Sequence, residues 1–93
     1  MSEFIKLDNG KLEYDLFEPR EYKKLVEILT FGKNKYGKGN WKKCDDKMRY
    51  YNALIRHLEK WRMGEKLDAE SNKEHLAHVL TNAYFLLYLD NEE

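Results

Sequence analysis

The sequence predicts an all-α fold, a small three-helix domain preceded by an N-terminal hairpin or extended arm. Three observations carry this. Apolar residues recur at helical spacing in three separate stretches. Proline or a capping residue opens each stretch, and glycine closes the first two. The chain has 93 residues and no linker, repeat or low-complexity tract, so residues 1–93 form one domain. Within it, residues 1–17 are the arm and residues 18–90 the helical core.

The arm reads FIKLDNGKLEYDL, two short apolar-alternating runs around Asp8-Asn9-Gly10. Asn-Gly is a hairpin signal, but each run is short, so an extended arm stands beside the hairpin. Pro19 suits the first turn of a helix, where its missing N–H is not needed. Tyr22, Leu25, Val26, Ile28 and Leu29 then give the first helix its apolar face, and Gly37 and Gly39 end it. Asp45 or Asp46 caps a second helix with Met48, Tyr51, Leu54, Leu58 and Trp61 on its apolar side. Gly64 stops that helix. Ser71 and Glu74 have the spacing of a capping box, which opens a third helix running to about Leu89. Leu76, Val79, Leu80, Ala83, Leu86 and Leu87 form its stripe. The aromatic and leucine content of this last helix predicts homo-oligomer formation through it.

Composition narrows the function. Hydrophobic residues make up 42% and charged ones 37%, which is globular and not disordered. No apolar run approaches the roughly 20 residues of a membrane span, and the N-terminus lacks a signal-like apolar stretch. A cytoplasmic protein without a membrane partner is expected. The single Cys44 excludes an internal disulfide and a cysteine-based zinc site, and no histidine lies near it in sequence to activate it. Net charge is zero, 17 basic against 17 acidic residues, yet the charges are segregated. Between Lys33 and Arg62 stand ten basic and three acidic residues, a local +7 balanced by −7 elsewhere. A solvated helix face with a lysine-rich loop accounts for that, and so does a phosphate site. Duplex nucleic acid is not expected as a partner, because a wide aromatic face interrupts the basic helix.

Three groups carry candidate chemistry. In Lys35-Tyr36-Gly37-Lys38-Gly39-Asn40-Trp41, lysines neutralise phosphates, glycines permit close backbone approach, and Asn40 can read a base edge. Trp41 and Tyr36 can stack a base, although no P-loop is present. The ordinary alternative is a glycine-rich turn with Trp41 covering the core. In the second helix His57 projects on the side of Tyr50, Ala53, Leu54 and Trp61. In the third, His75, His78 and Asn82 fall within about 60° of one another on one face. Between them the loop supplies Glu65, Asp68 and Glu70. Imidazoles with carboxylates hold a divalent ion, oxygen-rich sets favouring Mg²⁺ or Mn²⁺ and imidazole-rich sets Zn²⁺. The alternatives are a core histidine satisfied by a backbone carbonyl and an acidic turn at a helix N-terminus.

KYGKGNW, ALIRHLEKW, GEKLDAES and HLAHVLTNA, in that order, resemble a family of small all-α phage and prophage proteins. The family is labelled dATP/dGTP diphosphohydrolase, N-terminal domain. Gly10, Lys11, Asp15 and Leu16 match its leading motif, and Phe31, Gly32, Lys35, Tyr36 and Gly37 match the end of its first helix. Asn72 departs from it, where glycine is expected, as does Lys73-Glu74. The resemblance implies a nucleotide site at Lys35, Tyr36, Asn40, Trp41, Arg56, His57, Trp61 and Asn82. It implies a metal site at Glu65, Asp68, Glu70, His75 and His78, with Mg²⁺ or Mn²⁺ ahead of Zn²⁺. The expected activity is metal-dependent hydrolysis of a purine nucleoside triphosphate in an infected bacterial host. The paired carboxylate helices of MazG-type pyrophosphohydrolases are absent: Glu18 and Glu21 straddle a helix start, and Glu65 and Asp68 share a loop. The alternative is therefore a binding module without cofactor or catalysis, which sequesters a nucleotide signal, linear or cyclic, made by host defence.

Overall fold

The computed structural model describes residues 2–92, and among these there are helices and no strands. A short 3₁₀ turn at Tyr14–Leu16 precedes α1 (Pro19–Tyr36), a second at Asn40–Lys43 precedes α2 (Met48–Arg62), and α3 (His75–Asn91) closes the chain. Helix α3 is the central element. It packs along α2 and, less extensively, against α1.

The boundaries follow local chemistry. Pro19 sits in the first turn of α1, and Gly37, at φ 95°, turns the chain out while its N–H returns to the Lys33 carbonyl. The Asp46 carboxylate accepts the Met48 N–H at 3.0 Å and so caps α2. At the other end Gly64, at φ 100°, brings the Glu65 N–H onto the Lys60 carbonyl at 3.0 Å.

One alternative is resolved and one expectation is corrected. The Asn9-Gly10 turn forms, with the Lys11 N–H on the Asp8 carbonyl at 3.0 Å, but no strands pair around it, so the segment is an extended arm. The capping box does not form. Helix α3 begins at His75, four residues beyond Ser71, and Glu74 makes no side-chain cap. Instead residues 67–74 fold into a tight reverse loop. The Asp68 N–H meets the Lys73 carbonyl at 2.7 Å, and the His75 N–H meets the Lys66 carbonyl at 2.8 Å. Ser71 is drawn into that loop by Asp68, which competes successfully for its hydroxyl. Asn72 takes the left-handed conformation, φ 59°, that the return of the chain requires. That is why glycine is expected there, and asparagine is the side chain that tolerates it best.

The interior is small and partly polar. Ile28 and Ala77 are its buried apolar residues, beside His75, Thr81 and Asn82. The Thr81 hydroxyl donates to the Ala77 carbonyl and the Asn82 amide to the His78 carbonyl, both at 2.8 Å, so neither polar group is left unsatisfied. The rest is aromatic. Trp41 stacks on Phe85 at 4.5 Å and meets Tyr84 and Tyr88 at 5.3 and 4.9 Å. The Tyr50 hydroxyl donates to the Trp41 carbonyl at 3.0 Å. Trp41 thus fastens the α1–α2 connection to the C-terminal half of α3.

Two stability outcomes follow. Trp41→Ala should cost about 3 kcal/mol, most of what a domain this small has, and should show in circular dichroism as a collapsed melting transition. Asn72→Gly should leave the melting temperature nearly unchanged, whereas Asn72→Val should cost about 1–2 kcal/mol.

Candidate functional site

His57 comes from the middle of α2, Asp68 from the reverse loop, and His75 from the first turn of α3. One ligand-type atom from each lies within 4.8 Å of the other two. The Nδ1 atoms of His57 and His75 are 2.8 Å apart, and the His57 ring stacks on His78 at 4.3 Å with the planes nearly parallel. Three imidazoles from two helices therefore form one cluster.

Hydrogen bonding fixes how these rings present their nitrogens. His75 has no exposure at all, and its Nε2–H donates to the Glu65 carboxylate at 2.7 Å. In the neutral ring the remaining lone pair then lies on Nδ1, turned toward His57. Asp68 accepts from the Ser71 N–H and hydroxyl, each at 2.9 Å. The Ser71 oxygen also lies 2.7 Å from His78 Nε2 and accepts the Lys73 N–H at 3.2 Å. Carboxylate, hydroxyl and imidazole are thus linked in one chain.

Burial pushes the His57 imidazole down to about 4, helped by the neighbouring His78 and opposed by Asp68. His78 is lowered for the same first reason, against the pull of Asp68. Partial burial raises the Asp68 carboxyl, but the Ser71 hydrogen bonds and the two histidines outweigh it and leave the net shift downward. At neutral pH the pair His57 and His78 is uncharged beside an ionised Asp68. Neutral imidazole with carboxylate is the protonation state that binds a cation.

The donors suit a divalent ion. Two imidazole nitrogens and one carboxylate oxygen, with a carboxylate holding the far nitrogen of one histidine, is a recurring arrangement in zinc and related sites. The residues expected at a metal divide accordingly. Asp68 and His75 stand in the cluster, Glu65 orients His75 from behind, and His78 lies one ring away. Glu70 faces elsewhere, paired with Lys35. His57, expected on the nucleotide side, joins the ligand-type group.

The other nucleotide candidates are dispersed. A groove of about 400 Å³ lined by Trp61, Gly64, Glu65, Lys66, Glu74 and Leu76 adjoins the cluster through Glu65, and Trp61 is 46% exposed on its wall. Arg56 is exposed on α2, next to His57 in the chain. Asn82 is buried and held by its own helix. Lys35 and the exposed Tyr36 lie against the reverse loop through Glu70. Asn40 belongs to the second 3₁₀ turn, and Trp41 is packed six to ten residues farther along α3 than His78, about 9–15 Å away. The basic, glycine-rich loop and the histidine cluster are therefore separate places. Sequence reasoning missed Ser71 as an orienting hydroxyl. The available signal was Asp68-x-x-Ser71, a spacing in which aspartate closes a turn on a following N–H.

The chain matches the family model described as dATP/dGTP diphosphohydrolase, N-terminal, over residues 4–93. It is 31% identical over 87 residues, 94% of its length, to a protein of Salmonella phage PMBT28 named dATP/dGTP diphosphohydrolase. The chain spans 30% of that relative's length. No solved structure matches it. With nearly every residue inside the matched range, the chain belongs to the dATP/dGTP diphosphohydrolase N-terminal family.

Proposed function

We propose that this chain is a phage nucleotide-handling domain that binds a purine deoxynucleoside triphosphate beside a divalent metal held by His57, Asp68 and His75. The observation that carries the reading is the convergence of these three donors, from three segments, within 4.8 Å. The family and the name of the phage relative support the nucleotide class. Two imidazoles in the set favour Mn²⁺ or Zn²⁺ over Mg²⁺, which prefers all-oxygen surroundings.

The ion, when bound, supplies Lewis-acid neutralisation of phosphate charge. The chain's own residues do the rest. Glu65 keeps His75 in the tautomer that presents Nδ1, and Ser71 fixes the Asp68 carboxylate. Trp61 offers an indole face to a purine, worth about 1–3 kcal/mol by analogy with base stacking elsewhere. Lys66 and Arg56 take phosphate charge from the rim. In the hydrolytic form of this reading, water adds to the α-phosphorus, the bond from that phosphorus to the α,β-bridging oxygen breaks, and nucleoside monophosphate and inorganic diphosphate leave. A second reading, capture without turnover, is favoured by one observation. The carboxylate pairs do not face each other from two helices: Glu18 and Glu21 lie at the start of α1, and Glu65 and Asp68 serve neighbours in the loop.

Isothermal titration of chelator-treated protein with Mn²⁺ and Zn²⁺ is expected to show one site per chain. His57→Ala should abolish it, and Glu65→Gln should weaken it about tenfold or more. Failure of the metal to bind, or indifference to both substitutions, overturns the metal assignment. Incubation with dATP and dGTP, with the metal present, followed by chromatography of bound and free fractions separates the two readings. Monophosphate and diphosphate lost on Asp68→Asn support hydrolysis, and intact triphosphate retained on the protein supports capture. Neither product nor retention removes the nucleotide assignment.

A further inference from the structure

The arm and the outer faces of the helices leave an amount of apolar surface that one copy of this chain does not cover. The accessible surface is 7980 Å², whereas a self-contained chain of 11.3 kDa exposes about 5,700 Å². The radius of gyration is 17.4 Å, against about 12 Å for a compact domain of this length. The excess of about 2,000 Å² exceeds the roughly 800 Å² that each partner contributes to a standard interface.

The surface has a defined form. In the arm, Phe4, Ile5, Leu7, Leu12, Tyr14 and Leu16 are all at least 74% exposed. Ile5 and Leu7 alternate in the extended stretch before the Asn9-Gly10 turn, so they share one side, while Leu12 follows that turn and leads into the 3₁₀ turn at Tyr14–Leu16. A segment with an apolar edge of this kind needs a groove. Such a groove of about 300 Å³ runs between α2 and α3, its apolar lining formed by Met48, Tyr51, Leu86 and Leu87, with Leu87 65% exposed. It lies apart from the groove beside the histidine cluster, and no residue lines both. Residues 2–7, ahead of the Asn9-Gly10 turn, span up to about 20 Å when extended, enough to reach into a groove of a molecule packed alongside.

We propose that two copies of this chain form a dimer by arm exchange, the apolar edge of each arm lying in the partner's groove between α2 and α3. Each copy supplies both an arm and a groove, so the contact is reciprocal and closes under twofold symmetry. The small interior then becomes intelligible, because the dimer completes it.

Sedimentation equilibrium of the full chain at tens of micromolar is expected to give twice the monomer mass. The double variant Ile5→Glu, Leu7→Glu and the single variant Leu87→Glu should each weaken association about tenfold or more, with helicity by circular dichroism unchanged. A photo-crosslinking phenylalanine analogue in place of Ile5 provides a reading independent of the stability of those variants. It should give a cross-linked dimer whose peptides map to α2 or α3. A monomer at these concentrations, a dimer indifferent to both the arm and the groove variants, or cross-links confined to one chain would overturn the proposal.

Discussion

The structure turns on one buried side chain, the imidazole of His75. It stands in the first turn of the central helix with no exposure, so both ring nitrogens need partners, and each comes from a different element. Nε2 holds Glu65, just beyond the end of α2, and Nδ1 faces His57 in the middle of α2. Its backbone N–H closes the reverse loop on the Lys66 carbonyl. One residue thereby sets where α3 starts, how α3 meets α2, and where Asp68 is carried. An apolar residue there would fill the space, but it would leave Glu65 and His57 without the partner that fixes them.

Charge segregation has a structural outlet that the sequence alone did not locate. Lys35 of the basic stretch meets Glu70 in the acidic loop, and Lys47 meets Asp90 near the end of α3. Lys24 and Glu27 of α1 meet Glu74 and Lys73 in turn. Helix α1 is thus tied by three ion pairs to the loop that bears Asp68. Exposed pairs are screened by solvent and contribute little to stability, so they do not hold the fold together. Their effect is on position: they fix the loop along α1 from its second turn to its last. Of the ten basic residues of the middle stretch, Lys35 and Lys47 are tied to the acidic segments in this way.

Much of this was legible in the residues. The three helices were readable because their apolar positions recur at 3.6-residue spacing and Pro19, Asp46, Gly37 and Gly64 mark their limits. The approach of His57 to His75 and His78 was readable from helix faces and a short connection. Ser71 was not, because the same Ser-x-x-Glu spacing serves a capping box and an Asp-anchored turn, and only the neighbouring Asp68 decides between them. Trp41 was ambiguous for a related reason. An indole in a basic loop looks like a stacking platform until Phe85 and Tyr88 arrive from more than forty residues away. Non-local packing is what a linear pattern does not contain.

The histidine cluster and the thin interior are two sides of one constraint. A three-helix chain has few buried positions, and here His75, Thr81 and Asn82 occupy three of them. Each polar residue placed at such a position displaces an apolar one that would have contributed about 1.5–3 kcal/mol by burial. Thr81 and Asn82 are satisfied by their own helix and cost little more than that loss, whereas His75 also demands a second imidazole and a carboxylate. A sequence optimised only for folding would not retain that arrangement, since an apolar residue at position 75 releases all three groups. Buried positions are thus given to polar partners that fix one another, while apolar surface stays exposed along the arm and the outer faces of α2 and α3.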